Sequence, residues 1–354
     1  MLAGLRWFGS RADTVSLAQI RQIPGVKGVI STLYDKKPED VWTKEEVKAL
    51  KSEIEAAGLK LLGIESVNVS DDIKAATKDR DEHIENYIKS LTALGENGVD
   101  LVCYNFMPVF DWTRSELHKA REDGSNVLAY DQNKIDEINP ETIFSSIDKM
   151  ADGHMLPGWE PERMARIKEL FDLYSDTNDE VLFDNLVYFL EAIWEVCKKY
   201  NIRMAIHPDD PAWPVFGLPR IITNEKNLLR LIKVVDKPHN GVTLCTGSLG
   251  SNPDNDIPAT IRALGSRIYF AHIRNLRHKS KGVFEEAAHY EADGSLDITG
   301  IMRAFYDIDY KGVMRPDHGR MIWGEKAMPG YGLYDRALGV QYLLGIWDAL
   351  CRNL

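Results

Sequence analysis

Eight short runs of strand-forming residues recur along the chain, most of them followed by a stretch with the apolar spacing of a helix, and this alternation restricts the fold more than any other feature. The runs are L-R-W-F at 5–8, V-K-G-V-I-S at 26–31, K-L-L-G-I-E-S at 60–66 and L-V-C-Y-N-F at 101–106, then R-M-A-I-H-P at 203–208, G-V-T-L-C-T at 241–246, R-I-Y-F-A-H-I at 267–273 and G-V-M-R-P-D at 312–317. Residues 44–58 place Val47, Leu50 and Ile54 on one helical face and close on Gly58. Residues 81–95, 184–200, 223–232 and 297–305 repeat the design, and a last helix is expected from about Tyr334 to Leu350. Such alternation predicts a parallel sheet, and eight units close most simply into a (β/α)8 TIM barrel, an α/β fold in one domain over residues 1–354. The alternative, an open doubly wound sheet, is disfavoured because no G-x-G-x-x-G turn follows the first strand.

One segment breaks the rhythm. Residues 107–177, after the fourth strand, hold charged and irregular sequence, including P-V-F-D-W-T-R and G-H-M-L-P-G-W-E-P-E-R. A connection this long is usually a lid or a contact segment. We expect a helical insertion over the barrel mouth, with Trp112 and Trp159 facing either a partner subunit or the lid's own packing.

Charge narrows the partners. A net charge of −11 and a pI near 5.4 argue against a nucleic-acid surface, which needs a basic face. The first residues, M-L-A-G-L-R-W-F-G, lack the features of a signal peptide, and no run approaches the ~18 apolar residues of a membrane span. Cys103, Cys197, Cys245 and Cys351 lie far apart without a C-x-x-C pair, as expected of reduced thiols in a cytoplasmic protein.

In a barrel of this kind the chemistry sits where strands end. The fifth run ends in His207, followed by Pro208, Asp209 and Asp210. The sixth ends in Cys245, the seventh carries His272 ahead of Arg274 and Asn275, and the eighth ends in Asp317 and His318. Each alone has an ordinary structural reading: a hydrogen-bonded histidine, a buried thiol, a turn aspartate. Four consecutive strands each delivering a ligand type predict one metal site of His207, Cys245, His272 and Asp317. Two imidazoles, a thiolate and a carboxylate are too hard a set for copper(I) and too soft for magnesium or calcium, which leaves zinc, iron(II) and manganese(II). Arg274, Arg315 and Arg320 are candidate clamps for a substrate carboxylate, with Asn275 and Trp7 as further candidate substrate contacts. His318 is a candidate general base, and Tyr331, in the glycine-flanked G-Y-G-L-Y segment, a candidate acid or base.

The motifs A-I-H-P-D-D-P at 205–211, T-L-C-T-G-S at 243–248, F-A-H-I-R-N at 270–275, R-P-D-H-G-R at 315–320 and G-Y-G-L-Y-D-R-A-L-G at 330–339, with the opening L-R-W-F-G, resemble the mannonate dehydratase family of xylose-isomerase-like barrels. The resemblance covers the whole chain. It implies dehydration of D-mannonate to 2-keto-3-deoxy-D-gluconate in hexuronate catabolism, with manganese(II), or iron(II) as a substitute, on His207, Cys245, His272 and Asp317. It implies acid and base roles for His318 and a tyrosine of the G-Y-G-L-Y segment; Tyr331 is taken over Tyr334, which is expected to start the last helix, and Asp317 is expected to orient the substrate hydroxyls as well as hold the metal. It further implies a homodimer. Two groups on opposite sides of the substrate would serve as base and acid, and His318 and Tyr331 are expected to fill those places.

Three rivals remain to be weighed. A sugar isomerase or epimerase on the same barrel would favour a carboxylate-rich metal cluster, against which Cys245 speaks. A phosphate-ester endonuclease would want many more strand-end ligands than nine histidines allow, and a basic face. A non-catalytic sugar-acid binding protein would have no need of the four metal ligands.

Overall fold

Eight parallel strands close into a barrel in the computed structural model, which describes residues 1–137 and 165–352. In chain order the strands are β1 (Leu2–Arg6), β2 (Gly28–Ser31), β3 (Lys60–Glu65), β4 (Leu101–Tyr104), β5 (Glu116–Ala120), β6 (Asn126–Asp131), β7 (Arg203–Ile206), β8 (Asn240–Cys245), β9 (Ile268–Ile273), β10 (Asn275–Ser280), β11 (Val283–Ala287) and β12 (Val313–Pro316). The barrel runs β1-β12-β9-β8-β7-β4-β3-β2. Every residue of β4 and β8 is buried, as parallel strands must be when side chains fill the barrel and helices cover the outside.

The helices form where the sequence places them, for local reasons. Lys44–Ala56 starts on a capping box between Thr43 and Glu46, buries Val47, Leu50 and Ile54, and stops where Gly58 turns to φ +75°. There the Leu59 amide donates to the Ile54 carbonyl, a bond that a Cβ-free residue at position 58 makes easy to reach. The expected helix over 184–200 is two helices, Asp179–Ala192 and Trp194–Tyr200, and the last helix runs Leu333–Cys351. Among the described residues no helix is long and apolar enough to cross a membrane.

Two differences from the sequence reading matter for the site. The first strand is Leu2–Arg6 rather than 5–8, because Leu2 and Ala3 pair with Val313 and Met314 while Gly4 to Arg6 pair with β2. Trp7 and Phe8 therefore lie past its end. The described part of the 107–177 insertion is also less helical than expected. It contains β5 and β6, beside the short helices Gln132–Asp136 and Ile167–Leu173. Residues 138–164, with Trp159, lie outside the described residues.

β5 and β6 join a hairpin of β10 and β11, which follows β9, in a four-stranded antiparallel sheet ordered β10-β11-β6-β5. The Asn126 amide donates to Met321 and the Met321 amide donates back, which ties this sheet to the loop after β12. Excursions from two separate barrel strands thus meet at the end of the barrel where His318 sits.

Candidate active site

Strand register sets the site. Cys245 of β8 lies beside His272 of β9, and His272 lies beside Arg315 of β12, so three side chains form a row across adjacent strands. His207 follows the end of β7 and Asp317 the end of β12. One donor atom from each of His207, Cys245 and His272 falls within a span of 4.8 Å. The Nε2 of His207 is 3.2 Å from the Nδ1 of His272, and the Cys245 thiol is 3.6 Å from Oδ2 of Asp317. The structure therefore brings the four strand-end donors together.

Their electrostatics suit a cation. Burial alone would raise the thiol pKa of Cys245, but Arg274 and then His207 outweigh it and hold the group well below the usual thiol range. Burial would likewise lower His207, yet the adjacent Cys245 thiolate, with Asp317 and Glu65, raises it to about 9. Asp317 stays well below the carboxylate range: His318 and Arg315 overcome its desolvation. The Nε2 of His272 is buried without a hydrogen bond, and Glu65 approaches it at 3.4 Å. A buried imidazole nitrogen without a bonding partner, in a soft-and-hard donor set, fits a bound divalent ion. Glu65 and Cys103 form a second grouping around the same His272. Glu65 is committed to Arg315, and Cys103 accepts from Thr243.

Behind the donors lies a lattice of buried ion pairs. Arg114 grips Asp210 with two bonds of 2.8 and 3.1 Å and donates to Glu286 at 2.9 Å. Arg274 reaches Asp210, Glu286 and Asp317, the last at 2.9 Å. Arg315 spans Glu65 and Asp317 at 2.8 Å each. Burial opposes ionisation of Glu286, but Arg274 leads the groups that hold it down to about 2. With His207 neutral, as a coordinating imidazole must be, three guanidiniums face four carboxylates and the Cys245 thiolate, leaving two negative charges, which a divalent cation would neutralise.

His318 and Tyr331 stand on the rim of this cluster. The Nε2 of His318 is 2.9 Å from the Tyr331 hydroxyl, and its Nδ1 is 3.4 Å from Glu286. The two candidate acid/base groups touch and share one wall, so they do not face each other across a substrate as the sequence reading expected. Burial, with Asp317 nearby, pushes the Tyr331 phenol well above its ordinary value, so it stays protonated. Arg336, fully buried, donates to the carbonyls of Tyr331, Gly332 and Arg6, which fixes the loop. Tyr334 is 41% exposed on the last helix and takes no part. Trp112 packs edge-on to His318, with ring centroids 5.5 Å apart, and so covers the site rather than facing a partner.

The candidate substrate contacts fare differently. Arg315 lines the pocket although its guanidinium is ion-paired. Arg274 is wholly buried behind it, consumed by three carboxylates. Asn275 holds a turn, accepting from the Leu296 amide at 3.1 Å. Arg320 pairs with Asp335 and Asp123, away from the pocket. Trp7 is buried, its indole N–H donated to the Val15 carbonyl. Each of these four has a protein partner that sequence spacing does not reveal, and none of them lines the pocket. The pocket, open to solvent, is instead lined by Arg6, Phe8, Glu65, Asn105, Asp111 and Trp112 together with His207, Arg315, Asp317, His318 and Tyr331. Arg6, Glu65 and Asp111 were missed because each stands singly in an apolar or loop stretch. The D-G turn at Asp123–Gly124, by contrast, was a usable hairpin signal for β5 and β6.

Barrel and pocket together define a TIM-barrel protein with a site for a small molecule at the strand ends. A D-tagatose 3-epimerase-like protein shares the fold, with a TM-score of 0.58 at 14% identity over 100% of this chain and 99% of its own. The D-mannonate dehydratase (UxuA) family model matches residues 1–354. The mannonate dehydratase of Brachyspira hyodysenteriae is 63% identical over 99% of both chains, and that of Thermotoga neapolitana is 53% identical over 98% of this chain and 97% of its own. The crystal structure of mannonate dehydratase from Streptococcus suis serotype 2 superposes with a TM-score of 0.90 at 39% identity, over 100% of this chain and 95% of that one. The chain belongs to the mannonate dehydratase family, and as such is a carbon–oxygen lyase, not a sugar isomerase.

Proposed function

We propose that the protein dehydrates D-mannonate to 2-keto-3-deoxy-D-gluconate in hexuronate breakdown, with manganese(II), or iron(II) in its place, held by His207, Cys245, His272 and Asp317. The observation that supports the metal-dependent reading is the buried convergence of those four donors in a member of this family. A bound divalent ion would act as a Lewis acid toward the negative charge that builds on the substrate carboxylate.

The remaining work falls to the protein's own groups. Dehydration breaks the C2–H and C3–O bonds and forms a C2–C3 double bond. The resulting enol then takes a proton at C3 and releases one from its hydroxyl, giving the 2-keto acid. With Nδ1–H facing Glu286, His318 keeps Nε2 as its acceptor nitrogen, and we assign it the C2 proton. Tyr331, held protonated, delivers its proton to the departing C3 hydroxyl, which leaves as water. The proton gathered by His318 then returns to Tyr331 along their 2.9 Å hydrogen bond, so the pair is restored without solvent. Asp317 also lines the pocket, its Oδ1 held by Arg315 and its Oδ2 by Arg274, and on this reading it helps to orient the substrate hydroxyls. Trp112 and Phe8 keep bulk water from the wall where the pair sits.

The test is an assay of chelator-stripped protein with D-mannonate, with and without manganese(II), following 2-keto acid. Metal-dependent product supports the reading, and no product with either manganese or iron overturns it. His318→Asn and Tyr331→Phe should each retain metal and lose roughly 10²-fold or more in turnover. Near-normal rates would remove those residues from their roles. Homodimeric assembly and cytoplasmic residence belong to the same proposal, the latter supported by the free thiols Cys103, Cys197, Cys245 and Cys351. Light scattering checks the first, and a monomer mass at assay concentration would refute it.

A further inference from the structure

Most arginines buried around the barrel mouth are satisfied by the protein. Arg114, Arg274 and Arg315 are ion-paired to carboxylates at every turn, Arg220 donates to the carbonyls of Phe110 and Asp111 beside Asp209, and Arg336 is held by three carbonyls. Arg6 is the exception. It ends β1, is 5% exposed and lines the pocket. The one hydrogen bond its guanidinium makes among the described residues is a long one, 3.5 Å from NH1 to the Ile30 carbonyl, and no carboxylate of those residues lies within ion-pair distance. The guanidinium otherwise rests 4.4 Å from the centre of the Phe8 ring.

A guanidinium offers five N–H donors, and burying a cation without an anion is costly. The protein bears that cost at a point facing the reaction. β1 lies beside β12 in the barrel, with β9, β8 and β7 following in turn, so Arg6 looks across the mouth toward the metal-type donors at the ends of those strands. Charge points the same way. The lattice behind the donors is left with the two negative charges that a divalent ion would neutralise, and Arg6 is then a surplus positive charge. Asp111, half-exposed at the rim, makes no ion pair with it. A single carboxylate entering with the substrate would complete the balance.

We infer that Arg6 is the anion receptor of the pocket, binding the substrate's carboxylate, and that it sets the preference for sugar acids over neutral sugars. The inference rests on the dehydration reading above. It moves the clamp from Arg274 and Arg320, whose donors are taken, to a residue whose donors are open. Phe8 and Tyr331, ring to ring at 4.9 Å, place this receptor next to the acid/base pair, so the carbon beside the bound carboxylate is delivered to that wall.

The experiment measures binding apart from turnover. Metal-loaded His318→Asn protein is titrated calorimetrically with D-mannonate and with D-mannitol, its neutral polyol counterpart, in the presence and absence of Arg6→Gln. D-mannonate should bind roughly ten- to a hundredfold more weakly without the guanidinium, while D-mannitol changes less than about threefold. Arg6→Lys, which keeps the charge but not the fork, should recover part of the loss. In the otherwise unaltered holoenzyme the same substitutions should raise KM with metal content unchanged. D-mannonate binding indifferent to Arg6→Gln overturns the assignment while leaving the reaction standing. Equal loss for both ligands, with no recovery in Arg6→Lys, marks a packing role and also overturns it. Absence of product from the unaltered holoenzyme overturns the reaction itself, and this assignment with it.

Discussion

Replacing Arg114 by Met tests the ion-pair lattice most directly. Arg114 is 2% exposed and makes four hydrogen bonds: two to Asp210, one to Glu286 and one to the Thr113 carbonyl. After the substitution Asp210 and Glu286 share Arg274 alone, so one buried negative charge is left without a counterion. Breaking a buried pair from one side costs about 3–5 kcal/mol. With an unfolding entropy of about 2.1 cal/mol/K per residue, a chain of 354 residues converts that into a fall in Tm of about 4–7 °C. Calorimetry on the purified variant reads the shift. Arg262→Met, which cuts a solvent-exposed pair with Asp307, serves as the control and should move Tm by no more than about 1 °C. Adding Glu286→Gln to Arg114→Met removes the leftover charge, so the double variant should lose less than the sum of the two singles. If Arg114→Met shifts Tm no further than Arg262→Met, the lattice is not what steadies the barrel mouth, and the charge argument built on it fails.

Other consequences are as direct. Cys245→Ser should weaken manganese binding by at least the roughly 10–100-fold that loss of an outer partner costs, and equilibrium dialysis measures it; unchanged affinity would remove the thiol from the donor set. Asp293 accepts from Arg121 and Arg277, and although burial opposes it, Arg121 leads the groups that lower it to about 2. A depressed folded pKa means this stabilisation is present above the ordinary value of 3.8 and is lost as pH falls through about 2, so the urea midpoint of Asp293→Asn should fall less on acidification than that of the parent. Parallel acid profiles would contradict this. In Gly28→Ala the new Cβ would lie 2.1 Å from the Lys60 carbonyl oxygen of the adjoining strand, and the expected loss is about 1–3 kcal/mol or more, read from urea unfolding. An unchanged midpoint would show that β2 and β3 can part without cost.

What the sequence made legible follows from where its signals lie. His207, Cys245, His272 and Asp317 could be found because each closes an apolar run, and the ends of parallel strands share one rim. The ion pairs of Arg274 were not legible for a physical reason: it sits in the same kind of place, but its partners Asp210 and Glu286 arrive from elsewhere in the chain. Glu286 belongs to β11, where two adjacent buried residues are glutamates on opposite faces, so no hydrophobic alternation announces that strand. Arg6 and Glu65 lie on the half of the barrel that holds no strand-end cluster, each a single charged residue at the end of its strand. Their significance is an arrangement in space, the one unpaired and the other locked to Arg315.

Barrel closure also sets an order of events during synthesis. β1 gains one neighbour early, when β2 emerges, but its other edge waits for β12, with Leu2 pairing Val313. At about 5–20 residues per second the ribosome needs roughly 15–60 s to cover that separation. For that time β1 presents open backbone groups, and the apolar interior strands have no final wall. The nascent chain is therefore most exposed to aggregation just before it is finished, and help from chaperones would matter more for its last strand than for its first.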